Sequence, residues 1–316
     1  MQPLKKDKSP SRIKLASPHA PMAHVCQDLD LSRDALLGVL ELAAQMKLAP
    51  QRYTKTLTGR YLGLLFEKPS LRTRLAFELA MKQLGGDAIV SAGVLGAREP
   101  VKDVARNLGR WVNGIAARVF TQSTVDELAQ WSGVPVINAL SDLYHPCQAL
   151  ADAQTLKERF GRWDGLKVAY VGDGNNVAHS LMLTVARLGG EIAVASPEGY
   201  EPAADIVKVA AREGSVKVTN DPREAVAGAH AVYTDVWASM GQEHEAAERR
   251  ETFAPYQVDE ELMALARADA IFMHCLPAHR GEEVTEAVME SPQSVVFDQA
   301  ENRLHTQKAL LLTLLG

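Results

Sequence analysis

The chain has 316 residues, 47% of them hydrophobic and 23% charged, which is apolar material for about two packed domains of roughly 150 residues each. Its 34 basic and 39 acidic residues leave a formal net charge of −5. That balance argues against a nucleic-acid binder, and no apolar run approaches the roughly 18 residues of a membrane helix. Cys26, Cys147 and Cys275 are widely separated with no CxxC pair, so neither a disulfide framework nor a zinc knuckle is expected, and a reducing, cytoplasmic setting is.

Residues 1–24 carry Lys5, Lys6, Lys8, Arg12 and Lys14 among prolines and serines, and read as a disordered basic tail without the apolar core of a secretory signal. Ser32 is placed to cap a helix running to about Met46. Gly63–Phe66 reads as a buried strand and Leu71–Leu84 as a helix stopped by Gly85 and Gly86. A strand at Ala88–Val90, a helix at Val101–Trp111, a strand at Gly114–Val119, a helix at Val125–Ser132 and a strand at Val134–Ile137 follow. A helix from Pro146 to Phe160 leads to a second alternating series, with strands at Lys167–Val171, Glu191–Ala195, Ala231–Thr234, Ala270–Met273 and Ser294–Phe297. An amphipathic helix, Glu301–Leu315, closes the chain and is free to pack back on the first half. Strands alternating with helices predict two open, parallel-sheet α/β domains, with the boundary near the helix that starts at Pro146.

Chemistry concentrates where strands end. Ser70-Leu71-Arg72-Thr73-Arg74 lies at a strand-to-helix junction, where unpaired helical N–H groups, two hydroxyls and two guanidinium forks favour a phosphate. His145 and Gln148 straddle the start of the Pro146 helix, and His145 is a candidate donor to an oxyanion. Arg118 ends an apolar strand. Asp235 follows another and suits an ammonium group, with Ser239 downstream. Cys275, also at a strand end, is a nucleophile, a proton partner or packing. Asn175 and Asn176 follow the Gly172-Asp173-Gly174 turn and suit the polar end of an amino acid. That turn is a poor nicotinamide-dinucleotide fingerprint, because Val177 holds the third glycine position and the next strand ends at Ser196 without an acid. His274, Cys275 and His279 lack zinc spacing. The acidic run from Glu243 to Glu251 reads as a solvated face.

Four motifs in order, Ser70-Leu71-Arg72-Thr73-Arg74, His145-Pro146-Cys147-Gln148, Asp235-Val236-Trp237-Ala238-Ser239-Met240-Gly241 and His274-Cys275-Leu276-Pro277, resemble those of the ornithine carbamoyltransferases, a likeness running from about Leu29 to Leu315. The resemblance implies two α/β domains joined by two helices: a carbamoyl phosphate-binding unit at 25–147 completed by the helix 301–316, and an ornithine-binding unit at 148–300. It implies that Ser70, Leu71, Arg72, Thr73, Arg118, His145, Gln148, Cys275, Leu276 and Arg303 contact carbamoyl phosphate. Asn176, Asp235, Ser239 and Met240 would bind ornithine, and Arg72, Arg118, His145, Asp235 and Cys275 would carry the catalysis. It further implies small-molecule substrates, no metal or organic cofactor, no nucleic acid or membrane partner, a homotrimer or a multiple of one, and a place in arginine metabolism. In one place the chain departs from the pattern. The resemblance implies a polar residue, often His or Gln, in the loop after the second strand that reaches a neighbouring subunit's site, whereas Ser91–Arg98 here has no His or Gln. Carbamoyl transfer to putrescine or N-acetylornithine, and a non-catalytic module that binds an amino acid and phosphate, are the competing expectations.

Overall fold

The computed structural model describes residues 24–238 and 245–316. The basic tail at 1–23, together with Ser239 and Met240, lies outside the described residues. Two parallel sheets organise the rest. The first is built from β1 (Tyr61–Phe66), β2 (Asp87–Ala92), β3 (Gly114–Arg118) and β4 (Val136–Leu140) in the order β2-β1-β3-β4. Helices α1 (Arg33–Leu48), α2 (Leu71–Gln83), α3 (Val101–Leu108) and α4 (Gln122–Ser132) accompany it. The second contains β5 (Lys167–Val171), β6 (Glu191–Ala195), β7 (Ser215–Thr219), β8 (Ala231–Thr234) and β9 (Ile271–His274) in the order β7-β6-β5-β8-β9. With it go α5 (Pro146–Phe160), α6 (Asn176–Leu188), α7 (Ala204–Glu213), α8 (Pro222–Val226), α9 (Ala246–Phe253), α10 (Glu260–Met263) and α11 (Glu286–Met289), and α12 (Val296–Leu315) ends the chain.

The central strands are apolar on both faces because helices cover both: β3 is buried throughout, as is β8. The edge strands β2 and β7 alternate or are exposed. In each sheet the strand order reverses at a central strand, β1 in the first and β5 in the second. The carboxyl ends of the strands there open a crevice, the usual place for ligands in open α/β sheets. Ser32 caps α1 by accepting the Ala35 N–H, and Ser70 caps α2 by accepting the Thr73 N–H. Helices α5 and α12 pack along each other between the two sheets. The end of α12 reaches the first sheet so closely that a side chain on Gly114 would meet Leu315 Cδ2 at 2.9 Å. No described helix is long and apolar enough to cross a membrane.

Three expectations need correction. Ser294–Phe297 is not a strand: Ser294 makes one isolated bridge to Phe272 and the chain turns helical at Val296. The β-branched pair Val295-Val296 reads as strand by propensity, but both side chains are spent on the core while Phe297 points outward. The final helix therefore begins at Val296, five residues before Glu301. The fifth strand is instead Ser215–Thr219, an alternating edge segment. Helix α3 stops at Leu108 rather than Trp111, and its C-cap Gly109 backs directly onto the Ser132 carbonyl.

Candidate functional site

The strand ends of the first sheet carry a cluster of cations. β1 delivers the chain to the N-terminus of α2, where the Ser70 hydroxyl takes one helical N–H and Thr73 is buried at the first turn. Leu71, at the first position of α2, is 71% exposed. On β3 the register with β4 shifts between Ala117 and Arg118. A bulge of this kind re-aims a side chain, and Arg118 turns inward and is buried. Arg303, on α12, is also buried; its Nη1 donates to Gln148 Oε1 at 2.6 Å and its Nη2 to Thr73 Oγ1 at 3.0 Å. Burial, and then the Arg303 and Arg72 charges, push the Arg118 guanidinium down to about 10. The Arg118 guanidinium lies in range of the Arg303 and Arg72 charges, the buried Asp152 acts on Arg303 from beyond Gln148, and both Arg118 Nε and Arg303 Nε are buried without a hydrogen-bond partner. Buried donors of this kind call for an acceptor.

His145 adjoins this cluster as the residue before α5, with Pro146 at the first helical position. It is buried, and its Nδ1 has no partner. Burial, then Arg303 and Arg118, hold its pKa well below the ordinary imidazole value. The ring is therefore neutral and offers one donor and one acceptor. Gln148, one turn on, spans Arg303 and Asp152, donating to the Asp152 carboxylate at 2.8 Å. Gln299 Nε2 donates to the same oxygen at 2.6 Å.

Burial raises Asp152 to about 7. A carboxyl raised above its unfolded value of about 3.8 contributes its stability fully below that value and loses it as pH climbs through about 7. The loss at pH 8 is on the order of a few kcal/mol at most. Asp152→Asn is expected to show a smaller fall in thermal midpoint between about pH 5 and pH 8 than the parent. Parallel curves for the two proteins would contradict this.

The second sheet contributes a different chemistry. Asp235, just beyond β8, is buried; Oδ1 accepts the Cys275 thiol at 2.8 Å and the Val236 N–H at 2.8 Å, and Oδ2 accepts Asn175 Nδ2 at 2.9 Å. Burial, then the Asp235 charge, keeps the Cys275 pKa well above the ordinary thiol value. Among the sequence alternatives, a proton-bearing partner of Asp235 fits and a thiolate nucleophile does not. The next residue, Leu276, has φ +58, a strained backbone for a branched side chain, and its N–H donates to His274 Nδ1 at 2.8 Å. His274 Nε2 in turn faces Glu283 Oε1 at 3.2 Å, and the His279 N–H donates to the same oxygen at 2.6 Å. Strain held in place by a buried network is typical of a ligand site.

Asn176 donates to the Ser141 carbonyl at 2.6 Å, on the first-sheet side of the crevice. Asn175, by contrast, caps α6 and touches Asp235, a placement that its position beside a glycine turn alone did not reveal. Gly174 in that turn lies so close to Glu201 and Pro202 that a side chain would collide with their backbone. The acidic run is not a uniformly solvated face. Arg249 is buried, donating to Asp173 at 3.1 Å and to the Trp237 carbonyl at 2.8 Å, with its guanidinium over the Tyr200 ring. Burial pushes Asp173 up to about 6 against the pull of Arg249. The loop Ser91–Arg98 is largely exposed; Glu67 pins it through the Leu95 N–H at 2.7 Å.

Asp235, His274 and Cys275 lie close enough to hold a cation, as do His279, Glu282 and Glu283. In the first set both His274 nitrogens already have partners and the thiol keeps its proton, so the donor set does not suit a metal.

Residues 23–158 match the family model described as "Aspartate/ornithine carbamoyltransferase, carbamoyl-P binding domain", and residues 164–314 the model for the "Asp/Orn binding domain". The chain is 52% identical over 297 residues to an ornithine carbamoyltransferase of Thermococcus kodakarensis, covering 91% of this chain and 94% of that one. It superposes on an ornithine carbamoyltransferase structure from Pyrococcus furiosus with a TM-score of 0.90 at 48% identity, over 94% of this chain and 99% of the other. It also resembles a structure of an N-acetyl-L-ornithine transcarbamylase, with a TM-score of 0.83 at 34% identity over 92% of this chain and 99% of that one.

Proposed function

The chain belongs to the aspartate/ornithine carbamoyltransferase family and is a carbamoyltransferase; from that premise we propose how its residues convert carbamoyl phosphate and L-ornithine to L-citrulline and phosphate. The observation that carries the reading is the trio of guanidiniums around a helix N-terminus, next to a lone buried carboxylate–thiol pair from the other sheet. The first pattern fits a phosphate and the second an ammonium group.

In this reading Ser70, the Leu71 backbone, Arg72, Thr73 and Arg303 hold the phosphate. Arg118, His145 and Gln148 serve the carbamoyl end, where Cys275 and Leu276 close the pocket. Asp235 orients ornithine together with Asn176, Ser239 and Met240. The reacting amine resembles that of lysine, with an unperturbed pKa near 10.4, so it must lose a proton before it attacks. A desolvated pocket ringed by cations favours the neutral amine. Its lone pair forms the N–C bond, the carbonyl π pair becomes an oxyanion, and Arg118, Thr73 and His145 are placed to stabilise that charge. Collapse breaks the C–O bond to phosphate, which departs onto Arg72, Arg303 and the start of α2 and takes up the second amine proton.

The units 25–147 with 301–316 and 148–300 would be the two substrate domains. An uncovered apolar stripe on α2, Leu71, Leu75 and Leu79, supports association of subunits through this face, for which a homotrimer is the reading the family resemblance implies. A cytoplasmic role in arginine metabolism completes the reading.

The test is citrulline formation from carbamoyl phosphate with ornithine, run beside putrescine, N-acetylornithine and aspartate. Activity confined to ornithine supports the proposal. Preference for another amine overturns the ornithine assignment and leaves the phosphate site standing, whereas binding of both substrates without product favours a non-catalytic module.

A further inference from the structure

The transfer as drawn makes no use of Asp28, a fully buried carboxylate whose burial pushes it up to about 6. Asp28 opens a short 3-10 turn, Asp28–Asp30. The residues before it are fastened to the first sheet: the Val25 N–H donates to the Val136 carbonyl and the Asn138 N–H to the Val25 carbonyl, each at 2.8 Å. Asp30 closes the turn by accepting the Cys26 and Gln27 N–H groups at 2.7 and 3.0 Å. Arg187 of α6 donates to the carbonyls of Leu29 and Leu31 at 3.1 and 2.6 Å, drawing the turn onto the second half of the molecule.

Thus fixed at both ends, Asp28 meets α6. Ser180 Oγ donates to Asp28 Oδ2 at 2.6 Å and Thr184 Oγ1 to Oδ1 at 3.5 Å. The same Ser180 oxygen accepts the backbone N–H of His145 at 2.8 Å. A hydroxyl has one proton; giving it to Asp28 leaves Ser180 only lone pairs to offer His145. A continuous buried chain therefore runs from the N-terminal turn, through the second half of the molecule, to the residue whose neutral ring sits against Arg118 and Arg303. His145 itself is in an irregular conformation, φ −138 and ψ 63, and caps α5 without a side-chain bond of its own to the helix.

We propose that Asp28 is a positioning residue for carbamoyl transfer: by orienting the Ser180 hydroxyl it fixes the backbone, and so the ring, of His145. The proposal rests on the assignment of His145 to the carbamoyl group. Asp28→Asn keeps an oxygen that can accept from Ser180. Asp28→Leu removes it at similar volume, and Ser180→Ala removes the link itself.

The experiment measures steady-state citrulline formation by these three variants, by His145→Gln and by the Asp28→Leu/His145→Gln double variant, with folding checked by thermal melting. Displacement of a catalytic group by a fraction of an ångström typically lowers turnover by about 10-fold or more. Asp28→Leu and Ser180→Ala are therefore expected to lose about 10-fold in kcat, with the KM for ornithine within about 2-fold and Asp28→Asn within about 3-fold of the parent. The double variant should be no slower than His145→Gln, because the two residues act as one unit. A folded Asp28→Leu with parental kcat, or equal losses in Asp28→Asn and Asp28→Leu, overturns the proposal while a crippled His145→Gln keeps the His145 assignment. Parental turnover in His145→Gln overturns both. Should Asp28→Leu not fold, Ser180→Ala decides by the same measure.

Discussion

Arg72→Ala is expected to fold normally and to lose about 10²–10³ in turnover, the usual cost of removing one donor from a developing anion. Arg74→Ala, two residues away, is expected to stay within about 2-fold of the parent, since an exposed i,i+4 pair is worth only tenths of a kcal/mol. The contrast comes from placement. Arg74 Nε is spent on Glu78 at 2.6 Å with its side chain 54% exposed. The Arg72 charge, by contrast, reaches Arg118 at the strand ends. Because Arg72 is only half-buried, its loss should show as chemistry rather than as unfolding. Turnover of Arg72→Ala near that of the parent, or a comparable loss in Arg74→Ala, would remove the phosphate from the start of α2.

Asp235→Asn should separate the two substrates. The carboxylate already accepts from three donors, the Cys275 thiol, the Val236 N–H and the Asn175 amide, and keeps lone-pair capacity for an ammonium group. An asparagine would have to turn an NH2 group toward one of them, leaving two donors face to face in a buried site. It would also lose the charge that pairs with an ammonium group. Losing a hydrogen bond to a charged group costs about 1.5–3 kcal/mol, and an unmatched buried donor adds a comparable amount. The value of kcat/KM for ornithine is therefore expected to fall by about 10²–10³, while the KM for carbamoyl phosphate changes by about 3-fold at most. Steady-state kinetics with each substrate varied in turn is the check, and equal damage to both would show that Asp235 organises the whole crevice instead of the ornithine end.

These expectations draw unequally on the chain and on its fold. The phosphate site was legible because its parts are contiguous: a strand end, a capping serine, a threonine and two arginines within five residues. Local spacing also located α5, since proline fixes its first turn. Local pattern misread Val295–Phe297, where β-branched residues sit in the first turn of a helix because the core accepts them there. It missed β7, a short edge strand that offers only two apolar residues, Val216 and Val218, between polar ones.

The amino-acid order by itself determined the two α/β halves, the strand-end location of the chemistry and the family, because alternating hydrophobicity and short motifs are properties of neighbouring residues. Only the tertiary structure decided which charges act together. Arg118 and Arg303 are 185 positions apart, Asp235 and Cys275 are 40, and Asp28 and Ser180 are 152. Arg249, in a run that reads as solvated, became a buried clasp on Asp173. Burial sets the protonation of these groups, and burial is a property of packing between elements, so His145 as a neutral ring, Cys275 as a thiol and Asp152 as a carboxyl titrating near 7 emerge only when the two sheets, α5 and α12 are brought together.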